Sequence, residues 1–318
     1  MLLKHLMDLY EVLDTPGVDG EAVLAHLRGI DPECDAETFP ITGPRGTTHM
    51  VRVRIPGAHG KACGGDAPTI GLLGRLGGLG ARPERIGFVS DGDGALVALS
   101  IAAKLLDMRR KGDILDGDVF ISTHVCPDAP TSPHKPVPFM GSPVTTAEIN
   151  QQEVTPELDA ILVCDTTKGN RIINHRGFAI SPTVKNGLIM RTSEDLLDIM
   201  QIATGRLPQV FAITTADITP YGNGLYHLNS IMQPCTCTDT PVVGVAITTE
   251  TAVPGCATGA TRLGDLDEAG TFMIEAAKAF GRGECSFFDQ SEYDAFAERY
   301  GTMENLRTFG NLPPVELK

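Results

Sequence analysis

The sequence predicts an α/β protein: a three-layer α/β/α sandwich around a mostly parallel or mixed central sheet. Two observations carry this. The short runs TIGLLG (69–74), RIGFVS (85–90), DVFIST (118–123), AILVCD (160–165) and PVVGVAITT (241–249) are apolar on both faces, the profile of strands covered by helices on either side. Longer stretches with apolar residues at helical spacing lie between them, and this alternation favours parallel strands joined by helical crossovers. At 42% hydrophobic and 21% charged residues over 318 positions, there is material for a substantial core. One α/β domain over 1–318 is expected, with an N-terminal helical segment over about 1–30 and a long proline-rich loop over about 124–145.

Taken in order, the opening segment repeats apolar residues at Leu2, Leu3, Leu6, Met7, Tyr10 and Leu13, a helical face that stops at DTPG. A second helix follows over roughly 20–28. From MVRVRIP (50–56) the texture changes to apolar runs punctuated by glycine. GLLGRLGGLG (71–80) lacks both the Walker lysine–serine pair and an ordered G-x-G-x-x-G with its downstream acid; close backbone packing explains its glycines better, and no nucleotide cofactor is expected. Helices are expected over 94–112, over 193–205 with serine at the cap and glycine at the end, and over 265–283, acidic first and basic last as the helix dipole favours.

Charge and composition exclude several classes. A net charge of −14 opposes phosphate backbones and anionic lipid, and the densest basic run, MRRKG (108–112), reads as a solvated helix end, so no nucleic acid partner is expected. No apolar stretch approaches the roughly 20 residues of a membrane span, and the amphipathic N-terminus is unlike a secretory signal, which makes the cytoplasm the simplest address. Eight cysteines without C-x-x-C spacing form neither a disulfide framework nor a zinc knuckle. The apolar faces of the N-terminal helices need a surface to cover, which favours a homo-oligomer.

Three apolar runs end in polar clusters: DGDG (91–94), HVCPDAP (124–130) and DTTKGN (165–170). If the strands are parallel and adjacent, Asp91, His124, Cys126, Asp128 and Asp165 emerge at one sheet edge, where ligands bind in open α/β sheets. Asp91 or Asp93 can equally cap the following helix. Cys126, flanked by His124, is either a nucleophile or soft metal ligand, or an inert buried thiol. DITPYGNGLYHLNS (217–230) concentrates Tyr221, Asn223 and His227 around glycines, as an amide or carboxylate substrate would require, or as a capped turn facing water. Lys168 and Asn170 suit a substrate anion unless they are plain surface polarity. In VPGCATGA (253–260), backbone amides and Cys256 can hold an oxyanion, or the loop simply turns tightly.

The run VSDGDGALVALSIAAKLLDMRRKGDILDGDVFIST, followed by AILVCD, resembles the core of the aminopeptidase-like zinc hydrolases. That resemblance implies an aminopeptidase-like fold, with Asp91 as a metal-bridging aspartate, Asp165 as a terminal ligand, and zinc or manganese as the ion. This chain departs from the pattern elsewhere: where paired glutamates belong it has Val125, Cys126 and Pro127, and where the last ligand histidine belongs it has Cys256, Ala257, Thr258 and Gly259. Near the place of an upstream H-x-D pair, His49 lacks its aspartate. End to end, through phrases such as THVCPDAPTSPHKPVPFMGSP, DTTKGNRIINHRGFAISPTVK and VPGCATGA, the chain is similar to a bacterial and archaeal family whose domain carries no assigned reaction. The expected function is hydrolysis of a small amide- or peptide-like compound in an altered aminopeptidase-like site. Catalytic candidates are Cys126, His124 and His227; substrate-binding candidates are Lys168, Asn170, Tyr221, Asn223 and Cys256; metal candidates are Asp91 and Asp165. The alternatives are a racemase or isomerase using Cys126 and Cys256 as paired acid and base, to which TIGLLGRLGG lends a likeness to the start of amino-acid racemases, and a non-catalytic small-molecule-binding protein.

Overall fold

The apolar stripe of the opening segment folds as α1 (Leu2–Leu13), and the chain turns at the DTPG stop into α2 (Gly20–Ile30), capped by the Asp19 carboxylate, which accepts from Ala22 N–H at 3.0 Å. The structure, a computed structural model, describes residues 1–75, 87–133, 135, 139–214, 228–253 and 260–307. Next come β1 (Asp35–Gly43), β2 (Gly46–Ile55), β3 (Ile70–Gly74), α3 (Asp93–Arg110) and β4 (Val119–Val125). A short hairpin, β5 (Thr131–Ser132) and β6 (Phe139–Met140), leads to α4 (Thr146–Glu153) and β7 (Ala160–Thr166). Then follow β8 (Gly177–Ile180), β9 (Val184–Lys185), β10 (Leu188–Ile189), α5 (Glu194–Thr204), β11 (Val242–Thr248), α6 (Leu263–Gly281) and α7 (Gln290–Tyr300).

The sheet is mixed, in the order β1-β2-β4-β3-β7-β11-β9-β10, with β8 also paired to β11. Its centre is parallel: β4, β3, β7 and β11 run in one direction, with antiparallel β1–β2 at one edge and β8 and β9 antiparallel to β11 at the other. Alternation along the strands sends Leu72, Ile121, Leu162 and Val245 into a core shared with α1, α2, α3, α5 and α6. It sends Leu73, Phe120, Val163 and Ala246 to the opposite face, where Ile231, Met232 and Cys235 from a 3-10 helix at Ser230–Thr236 cover them. Helical elements therefore lie on both faces, as the sequence predicts.

Three expectations need correction. The described part of RIGFVS, residues 87–90, supplies no strand: Ser90 opens a 3-10 turn, and Phe88 and Val89 are irregular. Their apolar side chains serve tertiary anchoring instead. Phe88 packs on the Tyr10 ring at 5.1 Å while its N–H donates to Asp14 at 2.6 Å, and Val89 packs with Ala129 and Met140. The proline-rich stretch begins inside β4 and contains the β5–β6 hairpin, so it is not all loop. Finally, the apolar stripe of α1 (Leu2, Leu6, Leu9, Leu13) is buried against α3 and α6 of the same chain, so it supplies no reason for a second subunit. Among the described residues no helix is long and apolar enough to cross a membrane, and Cys34, Cys63, Cys126, Cys164, Cys235, Cys237 and Cys285 are free thiols.

Candidate functional site

The parallel centre carries several strand ends to one edge of the sheet, and the register fixes what meets there. Leu73 pairs with Ser122 of β4, and Gly74 pairs with Cys164 of β7. Extending that register past the end of β3 aligns His124, Arg75 and Asp165 as a row at the strand spacing of about 4.8 Å. The Arg75 N–H extends the ladder by donating to Cys164 O at 2.7 Å. By strand alternation all three side chains leave the same face.

Burial pushes the Asp165 carboxyl up to about 7, against the opposing pull of the Thr166 N–H, which donates to it at 2.8 Å, and of the Arg75 guanidinium. The Asp93 carboxylate nearby pushes it up further. Arg75 is held in place by α4: its Nη2 donates to Asn150 Oδ1 at 2.6 Å and lies 2.7 Å from Glu153 Oε1. Glu153 is fully buried, which pushes its carboxyl up to about 7 against the fields of Arg75 and Arg52. Two carboxyls that change charge near neutrality thus flank one guanidinium.

On the other side of the edge, α3 starts directly against the strand ends. A Cβ on Gly94 would lie 2.4 Å from Arg75 O and 2.6 Å from Cys164 O, so only glycine lets the first turn of the helix approach this closely. The same turn carries Asp93, which is completely buried. Lys168 Nζ donates to its Oδ2 at 2.5 Å and Thr261 Oγ1 to its Oδ1 at 2.7 Å. Donors on both oxygens match the ionised carboxylate, although burial pushes the group upward.

The sequence-derived candidates fall as follows. His124 is buried in β4, its Nδ1 2.8 Å from Thr48 Oγ1, and shares the row with Asp165. Cys126, one residue past the strand, is buried with its thiol directed at Thr47 O at 3.6 Å, and burial pushes it up to about 11, so it is protonated at neutral pH. Asp91 lies in the 3-10 turn Ser90–Gly92 that leads into α3. Lys168 is 1% exposed and bonded to Asp93, not presented to solvent. Asn170 shapes its own turn, Oδ1 accepting from the N–H groups of Ile172 and Ile173 at 2.8 and 2.9 Å. Tyr221, Asn223, His227 and Cys256 lie outside the described residues. Sequence reasoning passed over Arg75 and Glu153 and favoured Asp91 over Asp93. Arg75 follows an apolar run, the same signal that exposed Asp165, but it stood inside a glycine-rich stretch.

Among the described residues no group of three or more His, Cys, Asp or Glu side chains is placed to hold a metal ion. Of the carboxylates that the edge does assemble, Asp93 is paired with the fixed ammonium of Lys168, and Asp165 lies in the field of Arg75. Among the described residues, this donor set does not fit the zinc or manganese expected at Asp91 and Asp165.

Mixed sheet, flanking helices and a polar carboxyl edge together define an aminopeptidase-like α/β/α fold. The glutaminyl cyclase of an Acidobacteriales bacterium shares it, with a TM-score of 0.51 and 17% identity over 89% of this chain and 94% of that one. A Legionella pneumophila LapA aminopeptidase aligns with a TM-score of 0.47 and 13% identity over 91% of this chain and 71% of that one. The cytosol aminopeptidase of Coxiella burnetii aligns with a TM-score of 0.43 and 12% identity over 84% and 67%. No curated protein matches the sequence. The chain belongs to the family described as protein of unknown function DUF1177, whose model matches residues 40–310.

Proposed function

We propose that the carboxyl edge of the sheet is the active site of a hydrolase acting on a small amide- or peptide-like compound, with Asp165 moving the proton. The observation that carries this reading is the row His124, Arg75, Asp165, set by the register of three parallel strands at the edge where such sheets take ligands. A carboxyl poised near pH 7 suits general base and acid work at neutral pH. Asp165 takes a proton from the attacking water and returns it to the leaving amine; water adds across the C–N bond, leaving an acid and an amine. Arg75, fixed by Asn150 and Glu153, keeps a positive charge beside that carboxyl through the cycle. His124, with its ring held by Thr48, is the second titratable group of the row.

The test is a panel of aminoacyl amides, dipeptides and N-terminally blocked amino acids incubated with untagged protein and read by mass spectrometry. Hydrolysis adds one water to the substrate, and the rate is expected to rise through pH 7 as Asp165 ionises. Asp165→Asn should lower kcat/KM about 100-fold or more while the thermal midpoint holds. No turnover across the panel, or an Asp165→Asn variant as active as the parent, overturns the reading.

A further inference from the structure

We propose that Lys168 is the resident cation of the carboxyl edge: its ammonium, locked onto Asp93, fills the charge-balancing role that a divalent ion would otherwise take there. A completely buried carboxylate needs a counter-charge, because an unpaired ion in a low-dielectric interior is too costly to keep. At Asp93 both oxygens are taken, Oδ2 by Lys168 Nζ at 2.5 Å and Oδ1 by Thr261 Oγ1 at 2.7 Å. An ion seeking Asp93 would first have to displace the lysine.

The lysine is built into this place. Its backbone has φ of +50°, a left-handed conformation that L residues other than asparagine and aspartate rarely adopt. The bend is pinned on both sides to the end of β11. The N–H groups of Thr167 and Lys168 both donate to Ile247 O, at 2.8 and 3.2 Å, and Gly169 N–H donates to Thr249 Oγ1 at 2.8 Å. Gly169 has no room for a side chain, since a Cβ there would lie 2.3 Å from Thr249 O and 2.4 Å from Thr251 O. Backbone strain, a close-packed glycine and a buried ammonium converge on one contact. Fixed cations also act on the neighbouring carboxyls: the Arg75 field opposes the burial of Asp165, and the fields of Arg262 and Lys168 oppose the burial and the Glu268 charge that push Asp265 up. The positive charge at this edge is then covalently part of the chain, unaffected by chelators.

The inference does not depend on the amide reading, and its test does not use activity. Untagged protein is assayed for zinc, manganese and iron by elemental analysis, and its Tm is followed with EDTA and with added zinc or manganese chloride. Well below one equivalent of metal and a Tm insensitive to EDTA are expected. Lys168→Met, which strands the Asp93 charge, should lower Tm by roughly 5–10 °C, and adding Asp93→Asn should restore most of the loss. If the single variant does not fold, the double variant carries the test and should melt within a few degrees of the parent. Near-stoichiometric metal whose removal lowers Tm overturns the proposal. So does a Lys168→Met protein as stable as the parent, or a loss that Asp93→Asn fails to relieve.

Discussion

Glu153 is the residue whose burial has the plainest consequence for stability. Its carboxyl sits about 7 in the folded protein against an ordinary value of 4.5, because burial outweighs the fields of Arg75 and Arg52. The folded state therefore holds this proton more tightly than the unfolded chain. The resulting stabilisation is complete below pH 4.5 and is lost as pH rises through 7, by about 3 kcal/mol in all. Asp165 contributes a slope of the same sign in an overlapping window, so the informative quantity is a difference. Urea unfolding of the parent and of Glu153→Gln between pH 4.5 and 8 should show the parent losing stability relative to the variant as pH rises; parallel curves would refute it. At this scale, the sequence displayed strand-end groups and concealed their partners. His124 and Asp165 follow apolar runs and could be found, but Glu153 meets Arg75 only because α4 folds back over the sheet, a contact 78 residues apart that no local pattern encodes. Asp91 and Asp93 are equivalent as letters; the helix start at Asp93 decides which is enclosed.

Among the elements, α3 does most to define the site, because its first turn enters the gap between the ends of β3 and β7. The fit is backbone to backbone. Gly94 carries its carbonyl to 2.4 Å from the place of a Gly74 Cβ, and a Gly94 Cβ would in turn strike Arg75 O. Gly94→Ala should therefore cost about 3 kcal/mol, the strained end of overpacking. Gly264→Ala, in the first turn of α6 with nothing within 4 Å of its Cβ, should be neutral or stabilising by up to about 1 kcal/mol. Paired thermal melts separate the two, and equal effects would show that α3 is not wedged. Elements with both periodicity and caps were legible: α5 begins on Ser193, whose side chain accepts from Leu196 N–H, and ends on left-handed Gly205. β1 was not, since only Ala36 is buried along its length and Pro40 interrupts its pattern, which an edge strand tolerates. RIGFVS failed for the opposite reason: its described apolar residues, Phe88 and Val89, are buried, but against α1 and the β5–β6 hairpin and not in the sheet.

Over the whole molecule, the N-terminal helix pair matters out of proportion to its place in the family, since α1 and α2 precede the matched region 40–310. They bury Leu2, Leu6, Leu9, Leu13, Val23, Leu24 and Leu27 in the main core. At roughly 1.5–3 kcal/mol for each buried side chain, their removal forfeits as much as the 5–15 kcal/mol that holds a typical domain folded. The pair also reaches the site. Asp14, the C-cap of α1, accepts from Phe88 N–H at 2.6 Å, and Tyr10 stacks on the Phe88 ring, so α1 fixes the segment that delivers Asp91 and Asp93. Deleting residues 1–30 should abolish the cooperative melt and leave protein that binds a hydrophobic dye. Asp14→Ala separates anchoring from core burial: it should lower Tm only slightly while accelerating amide hydrogen exchange over residues 87–92. A truncated chain that melts as sharply as the parent would show that the helices are an appendage. Unchanged exchange in Asp14→Ala would show that the loop holds its position through Phe88 and Val89 packing alone.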